Sequence, residues 1–488
     1  MTLKNWRNKV IVVGATLFAA GICAGQAPSR MRRAAAMAKD REQAELPTAP
    51  GAALTTVTPE PGYFTEPSIA IDPNHPDNVV AAYQDNAHIA YSTDAGKNWT
   101  AENVESKEYH VSGDVSVTYD NQGHAFVCYI AFDKLGTFSY WGHNANRNGI
   151  FIKRSMDGGK TWEEKEITVS AQPQQPAIPF EDKPYIIADN SHGPCAGNLY
   201  VGWTRWTLTN SELLFVRSTD DGKTWSKPIE IDNGPGLPRD DNGALEGFAA
   251  VVGPDSTVYA VWADGNHIVL TTSHDGGQTF SRARNIIETA PIMFGVEAVE
   301  RANGFPQIGI DPRGGKAGGR MYVTWSDYRN GDVDVFCSAS GDHGKTWSPA
   351  LRVNNDPQHD GADQYFQWMA VDPADGSVNV VFYDRRGDPE NRKQTVTLAR
   401  SSDGGKTFQN YAWNAQAFDA QGVFMGDYTG IAALDGHVYG VWTVKPAVAG
   451  GGGGRPPMAP NSAEYWRLRG TQIQIGVADF GRGAPPSN

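Results

Sequence analysis

Ser155-Met-Asp-Gly-Gly-Lys-Thr-Trp162 (SMDGGKTW), Ser218–Trp225 (STDDGKTW) and Ser273–Phe280 (SHDGGQTF) are three copies of one octapeptide. The pattern also stands at Ser92–Trp99 (STDAGKNW), at Ser340–Trp347 (SGDHGKTW) and, as Ser402-Asp403-Gly-Gly-Lys-Thr-Phe408, inside RSSDGGKTF. Successive copies lie 63, 63, 55, 67 and 61 residues apart. A unit repeated at such a period marks a solenoid or a propeller. Its residues describe a hairpin turn. Asp can bond the turn's own amides, Gly supplies a positive φ, the Thr hydroxyl closes the loop, and the Trp or Phe buries its ring on a neighbouring sheet. These aspartates therefore read as structural and not catalytic.

The segments between turns match one another as well. Pro67-Ser-Ile-Ala-Ile-Asp72, Val115-Ser-Val-Thr-Tyr-Asp120, Lys183-Pro-Tyr-Ile-Ile-Ala-Asp189, Pro306-Gln-Ile-Gly-Ile-Asp311 and Gln367-Trp-Met-Ala-Val-Asp372 read as first strands. Second strands end in Tyr83, Trp203, Trp262, Trp325, Tyr383 and Trp442, and a third strand enters each octapeptide. Four short strands per unit make a propeller blade, so the chain is read as all-β, a β-propeller of four-stranded antiparallel blades. Asp427–Trp442 starts a unit without an octapeptide, continued by Thr471–Val477, and Ala53–Val57 can supply its outer strand. That gives seven blades, with six as the alternative.

Repetition also accounts for the length, since 488 residues exceed what one ordinary core holds. A hydrophobic share of 40% excludes a disordered chain and a polytopic membrane protein. Residues 1–27 show the three parts of an export signal, with Lys4, Arg7 and Lys9 ahead of the apolar run Val10–Ile22. Residues 28–58 read as a flexible stalk and 59–488 as a single propeller domain. The expected location is the periplasm or the exterior, or, through Cys23, a lipid anchor at the cell surface. Residues 1–41 hold eight Lys/Arg and one Asp, leaving 34 basic and 54 acidic residues, a net charge of −20 for the remainder. That balance argues against nucleic acid and anionic membrane surfaces as partners. Cys128 and Cys337 lie in apolar runs and read as buried thiols, and no cysteine or histidine spacing suggests a metal or other cofactor.

Chain reversal at each turn puts all octapeptides on one face of a propeller. The lead-ins to first strands and the second-to-third loops share the other face, near the axis, where function is expected. Glu66, Asp114, Asp182, Glu246 and Asp427 occupy the lead-ins, and Asp264, Arg329, Arg385 and Arg386 occupy the loops, with Trp206 and Tyr365 nearby. Carboxylates, arginines and aromatics around a mouth suit a polar sugar.

The octapeptides resemble the Asp-boxes of sialidases (neuraminidases) and related bacterial-neuraminidase-repeat proteins, over residues 92–408, with matching strands from roughly 60 to 480. The resemblance implies an exo-alpha-sialidase-like glycoside hydrolase. Three arginines would hold the substrate carboxylate, a Tyr beside a Glu would be nucleophile, and an Asp would be acid/base. Position by position, Thr65 in Phe64-Thr65-Glu66-Pro67 stands where the family's first arginine stands. Glu246 retains the family's Glu, Arg329 matches an arginine after a second strand, and Tyr428-Thr-Gly-Ile431 resembles the family's tyrosine strand. Counting from the front nominates Tyr365 instead, and counting back from Tyr428 makes Arg385 or Arg386 a clamp arginine. In either register the three-arginine clamp is incomplete. The resemblance thus implies Tyr428 as nucleophile, Glu246 or Asp427 as its base and Asp114 as acid/base. Arg329, Arg385 and Arg386 would bind substrate, with Glu66, Asp182, Asp264 and Tyr365. The partner is a glycan or glycoconjugate. Two other readings stand beside the enzyme: a non-catalytic propeller binding a glycan or a protein through the same face, and a hard cation within the ring of Glu66, Asp114, Asp182, Glu246 and Asp427.

Overall fold

Short apolar strands punctuated by Asp-Gly turns build seven antiparallel four-stranded blades, the sixth joined by a short fifth strand, Phe418–Asp419. The computed structural model describes residues 45–481, apart from 85–86, 105, 107, 110, 134–146, 173–178, 239–242, 294, 314–317 and 448–468. The proposed export signal, Cys23 and the first part of the proposed stalk lie outside the described residues. The innermost strands of blades one to seven are Thr65–Ile71, Val111–Tyr119, Phe180–Ala188, Leu245–Val252, Gln307–Ile310, Gln364–Val371 and Gly430–Leu434. Each leads outward through its hairpin neighbours in chain order, except in blade seven. There Ala53–Thr56 is the outer strand, paired antiparallel with Gln472–Asp479 in the register Ala53↔Val477. The two ends of the chain thereby close the ring. The stretch expected as stalk is accordingly part of the ring by this point: Ala49 is buried and Thr48 bridges Ala412 in blade six.

The octapeptides form the turns their residues dictate. In blade two, the Ser155 hydroxyl accepts the Gly159 amide at 2.8 Å, while Asp157 accepts the Thr161 amide at 2.9 Å and its hydroxyl at 2.7 Å. The Trp162 indole donates to the Gly159 carbonyl at 3.0 Å. Gly159 has φ +94°, and a Cβ there would lie 2.2 Å from Val80 Cγ2 of blade one. The turn is therefore pressed onto the preceding blade, which excludes any side chain. In the sixth copy the serine in this role is Ser401, not Ser402.

The core lies between blades. Trp203, Trp262, Trp325 and Trp442, each two or three residues before the end of a second strand, are fully buried against adjacent sheets. Removing one such ring would cost ~3–5 kcal/mol. Cys128 and Cys337 are free and buried, as their apolar settings suggested.

The inner strands share a second local feature that positions the site. Five of them carry a bulge at the same register: Thr65/Ser68, Gly113/Ser116, Asp182/Tyr185, Glu246/Ala249 and Tyr365/Trp368. Within each bulge one residue takes a positive φ: Glu66 (53°), Asp114 (45°), Lys183 (48°), Gly247 (72°) and Phe366 (51°). A non-glycine residue in this region costs ~1–2 kcal/mol and recurs at functional sites. Between the bulges, hydroxyls tie neighbouring blades: Ser68 accepts the Val117 amide at 3.1 Å and Ser116 accepts the Ile186 amide at 3.2 Å.

Candidate functional site

The bulge register, extended to Phe305 in blade five and Tyr428 in blade seven, defines a ring of seven positions around the axis. Blades seven, one, two and three place Tyr428, Glu66, Asp114 and Lys183 there, with Asp427 and Asp182 one residue earlier. Blades four, five and six place Gly247, Phe305 and Phe366. The mouth therefore has an acidic arc and an apolar arc.

Within the acidic arc the carboxyl groups touch in series. Asp114 hydrogen-bonds through its side chain to both Glu66 and Asp182. The Asp114 carboxylate also accepts the Lys183 backbone amide at 3.1 Å, and the Trp206 indole donates to Asp182 at 2.7 Å. Burial, then the charge of Asp427, pushes Glu66 up to about 7. Burial, then the charge of Glu66, pushes Asp114 up to about 7. Burial, then the charge of Asp114, pushes Asp182 up to about 8. Desolvation in this cup disfavours charge, and each neighbour's charge adds to it. At the far end Arg301 binds Asp427 through two hydrogen bonds, one of 2.9 Å from Nε, and stands 3.9 Å from Glu66. The Arg301 guanidinium also lies 5.2 Å from the Phe424 ring, which stacks on Tyr63 at 5.8 Å.

Lys183 crosses the axis. Its Nζ lies 3.7 Å from the centroid of the Tyr428 ring and 4.8 Å from that of Phe305, on blades across the ring from its own. Lys183 is 8% exposed, and its ammonium has no hydrogen-bond acceptor among the described residues. Trp368 packs on Tyr428 at 5.3 Å and on Tyr185 at 6.1 Å, joining blades three, six and seven. The site is a cup with an aromatic floor, an ammonium group above that floor and an acidic wall.

Several sequence-based assignments change here. Arg329 folds back onto Asp327, its Nε 2.9 Å from each carboxylate oxygen. Arg386 does the same to Asp384, Nε to Oδ2 at 2.6 Å. Both close two-residue staples at strand ends. Arg385 is wholly buried and donates to the Asn391 and Glu297 carbonyls at 2.8 and 2.9 Å, with Tyr365, equally buried, beside it. None of these four side chains forms the cup. The reason is local: an Asp two residues before an Arg captures it, a pairing that sequence position alone does not reveal. Glu246 lines a cavity of about 80 Å³ between blades four and five that shares the Phe305 ring with the cup and has Ile292 and Met293 among its other walls. Asp264 ends a strand in the exposed hairpin Asp264–His267, away from the acidic series. The five-carboxylate ring is thus a four-carboxyl arc, and no cluster of three His, Cys, Asp or Glu among the described residues is placed to hold a metal ion.

Glu66, Asp114, Asp182, Asp427 and Tyr428 do converge. The Tyr428 hydroxyl, however, donates to no carboxylate among the described residues. Burial, followed by the charges of Asp114, Glu66, Asp427 and Asp182, drives its acidity down. Sequence reasoning missed Lys183 and Arg301. Lys183 was legible, since aligning Lys183-Pro-Tyr185 with Glu66-Pro-Ser68 puts it in the bulge register. Arg301 was not, because it lies in the irregular segment between Glu288 and Gln307.

No family model matches the chain. Over 100 residues, 17% of this chain, it is 32% identical to a sialidase of Bacteroides fragilis (strain YCH46), and the match spans 18% of that protein's length. Among solved structures, the Hadza microbial sialidase Hz136 is similar with a TM-score of 0.48 and 14% identity, covering 83% of this chain and 73% of that one. The phage phi92 endosialidase is similar with a TM-score of 0.47 and 12% identity, covering 90% and 72%.

Proposed function

We propose that this chain is a glycan-acting glycoside hydrolase, sialidase-like in architecture, which cleaves a polar sugar in the axial cup. The observation that carries the reading is the linked series Glu66–Asp114–Asp182. A carboxyl group that keeps its proton to about 7 can act as general acid near neutral pH. Asp114 is that acid: it gives its proton to the glycosidic oxygen as the bond to the anomeric carbon breaks. Glu66 and Asp427 face the developing positive charge, with Arg301 fixing the orientation of Asp427. Water then adds to the anomeric carbon, and its proton returns to Asp114. Tyr428 serves as wall and platform, since burial and the charges of Asp114, Glu66, Asp427 and Asp182 disfavour the phenolate that attack would need. Export of the mature chain is part of the proposal, resting on the pattern of residues 1–27 alone.

The test is release of sugar from a panel of sialosides and other glycosides by the purified mature protein, with Asp114→Asn and Tyr428→Phe alongside. The reading expects turnover that Asp114→Asn abolishes and Tyr428→Phe only reduces. A second reading, glycan binding without catalysis, is favoured by one observation: the absence of a described Tyr428–carboxylate hydrogen bond. It expects saturable binding with no release from any glycoside.

A further inference from the structure

The charge bookkeeping of the cup narrows what it can hold. Every arginine at the end of a second strand in blades three, five and six is engaged within the protein: Arg205 on Glu181 at 2.6 Å, Arg329 on Asp327, Arg386 on Asp384, and Arg385 buried on backbone carbonyls. Arg301 presents its fork to Asp427. Among the described residues that form the cup, no guanidinium fork is left to clasp a carboxylate in the two-point fashion that makes arginine the usual partner of such groups.

What remains is the Lys183 ammonium, 92% buried by the 8% exposure of its residue, with three N–H donors and no acceptor among the described residues. A buried charged donor without acceptors is costly, so the position favours a ligand that brings oxygen atoms. The surroundings decide which oxygens. Glu66 and Asp114 already act on this ammonium electrostatically, and Asp182 and Asp427 complete a wall of four carboxyl groups against two cations. Burial, and after it the charge of each neighbour, already opposes ionisation of these carboxyl groups. A sugar carboxylate would add a fifth to that wall, whereas hydroxyls accept from the ammonium and donate to the carboxylates at once.

We propose that the cup takes an uncharged sugar, with the Lys183 ammonium donating to two adjacent hydroxyls while Glu66 and Asp114 accept from them. This rests on the glycan reading above and narrows it. The rings of Tyr428 and Phe305, over which the Lys183 ammonium sits at 3.7 and 4.8 Å, give the cup an apolar lining beside these polar groups, as the mixed surface of a neutral sugar needs.

The experiment measures binding of neutral oligosaccharides, sialosides and uronic-acid oligosaccharides, each as a non-hydrolysable thioglycoside, to the wild-type full chain by calorimetry, with the corresponding O-glycosides for hydrolysis. The proposal expects neutral glycans to bind at least 10-fold more tightly than either anionic class, and Lys183→Met to weaken neutral binding by ~10- to 100-fold, in line with loss of charge-assisted hydrogen bonds. Lys183→Arg, which keeps the charge but not the fit, is expected to recover little. Preference for sialosides or uronides overturns the proposal, as does a folded Lys183→Met protein with unchanged affinity. If that variant does not fold, the wild-type ranking of neutral against anionic glycans decides alone. Binding of neutral glycans without hydrolysis overturns the enzyme reading but not this one, and failure to bind any glycan overturns both.

Discussion

Aspartate does opposite work on the two faces of this propeller. On the octapeptide face each carboxylate is surrounded by donors. For Asp275, slight burial works to raise its pKa, but hydrogen bonds from the Thr279 hydroxyl and amide outweigh it and hold the group at about 2. On the axial face Asp182 has one indole donor and a neighbouring carboxyl group, and burial followed by the charge of Asp114 pushes it up to about 8. The same side chain is a locked anion in one place and a proton carrier in the other. The difference lies in what surrounds it: saturating N–H and O–H groups stabilise charge, whereas desolvation and a second carboxyl group oppose it. A carboxylate that is needed ionised to hold a turn is a poor proton donor, and a carboxyl group that keeps its proton is a poor staple.

The largest expected effect that tests this contrast is on catalysis. Asp114→Asn should lower kcat by ~10²- to 10⁴-fold on any glycoside the protein cleaves, the range of a lost general acid. The same change at Asp275 should leave kcat within a factor of about 2, since its side chain serves only its own turn. Equal losses from both would remove the division between the faces.

Next comes pH. Asp114 must be protonated to act, and its group titrates near 7, so kcat should fall as pH rises through about 7 to 8. A rate that keeps climbing to pH 9 would show that a base, not an acid, limits the reaction.

Stability should respond in opposite directions on the two faces. Folded Asp182 holds its proton to about 8, while the unfolded side chain releases it near ~3.9, so the folded state binds more protons between those values. Its contribution to stability is present at low pH and declines as pH rises through that window. Asp182→Asn should therefore raise Tm at pH 8, by roughly 1–3 °C, and change it little at pH 4. For Asp275 the sign reverses. Its folded value of about 2 lies below the unfolded one, so its contribution is present above pH 4 and is lost as pH falls toward 2. Asp275→Asn should lower Tm by roughly 1–2 °C at pH 7 and by less at pH 2.5. A thermal-shift series over pH for both variants checks the pair.

The architecture was largely readable because its rules are local. The octapeptide carries its own turn chemistry, the alternation of strands fixes which side chains face the adjacent blade, and Ala53–Val57 with Thr471–Val477 had nowhere else to pair. The acidic members of the site were readable too, since parity puts Glu66, Asp114, Asp182 and Asp427 on the axial face. Arginine roles were not. Arg329 and Arg386 differ from a substrate-binding arginine only in which way the side chain turns, and that is settled by Asp327 and Asp384 two residues earlier.

By itself, then, the sequence determined a propeller of repeated hairpin units, read as seven with six as the alternative, the face on which its staples lie, and the carboxyl groups opposite them. Those outcomes follow from φ preferences, hydrogen-bonding turns and strand alternation, all of which act over a few residues. The tertiary structure decided the chemistry of the cup. Only ring closure brings Lys183 of blade three to the face of Tyr428 in blade seven, and only the irregular segment before blade five delivers Arg301 to Asp427. Whether a carboxyl group is a staple or an acid depends on groups hundreds of residues away, because electrostatics and desolvation depend on distance in space and not along the chain.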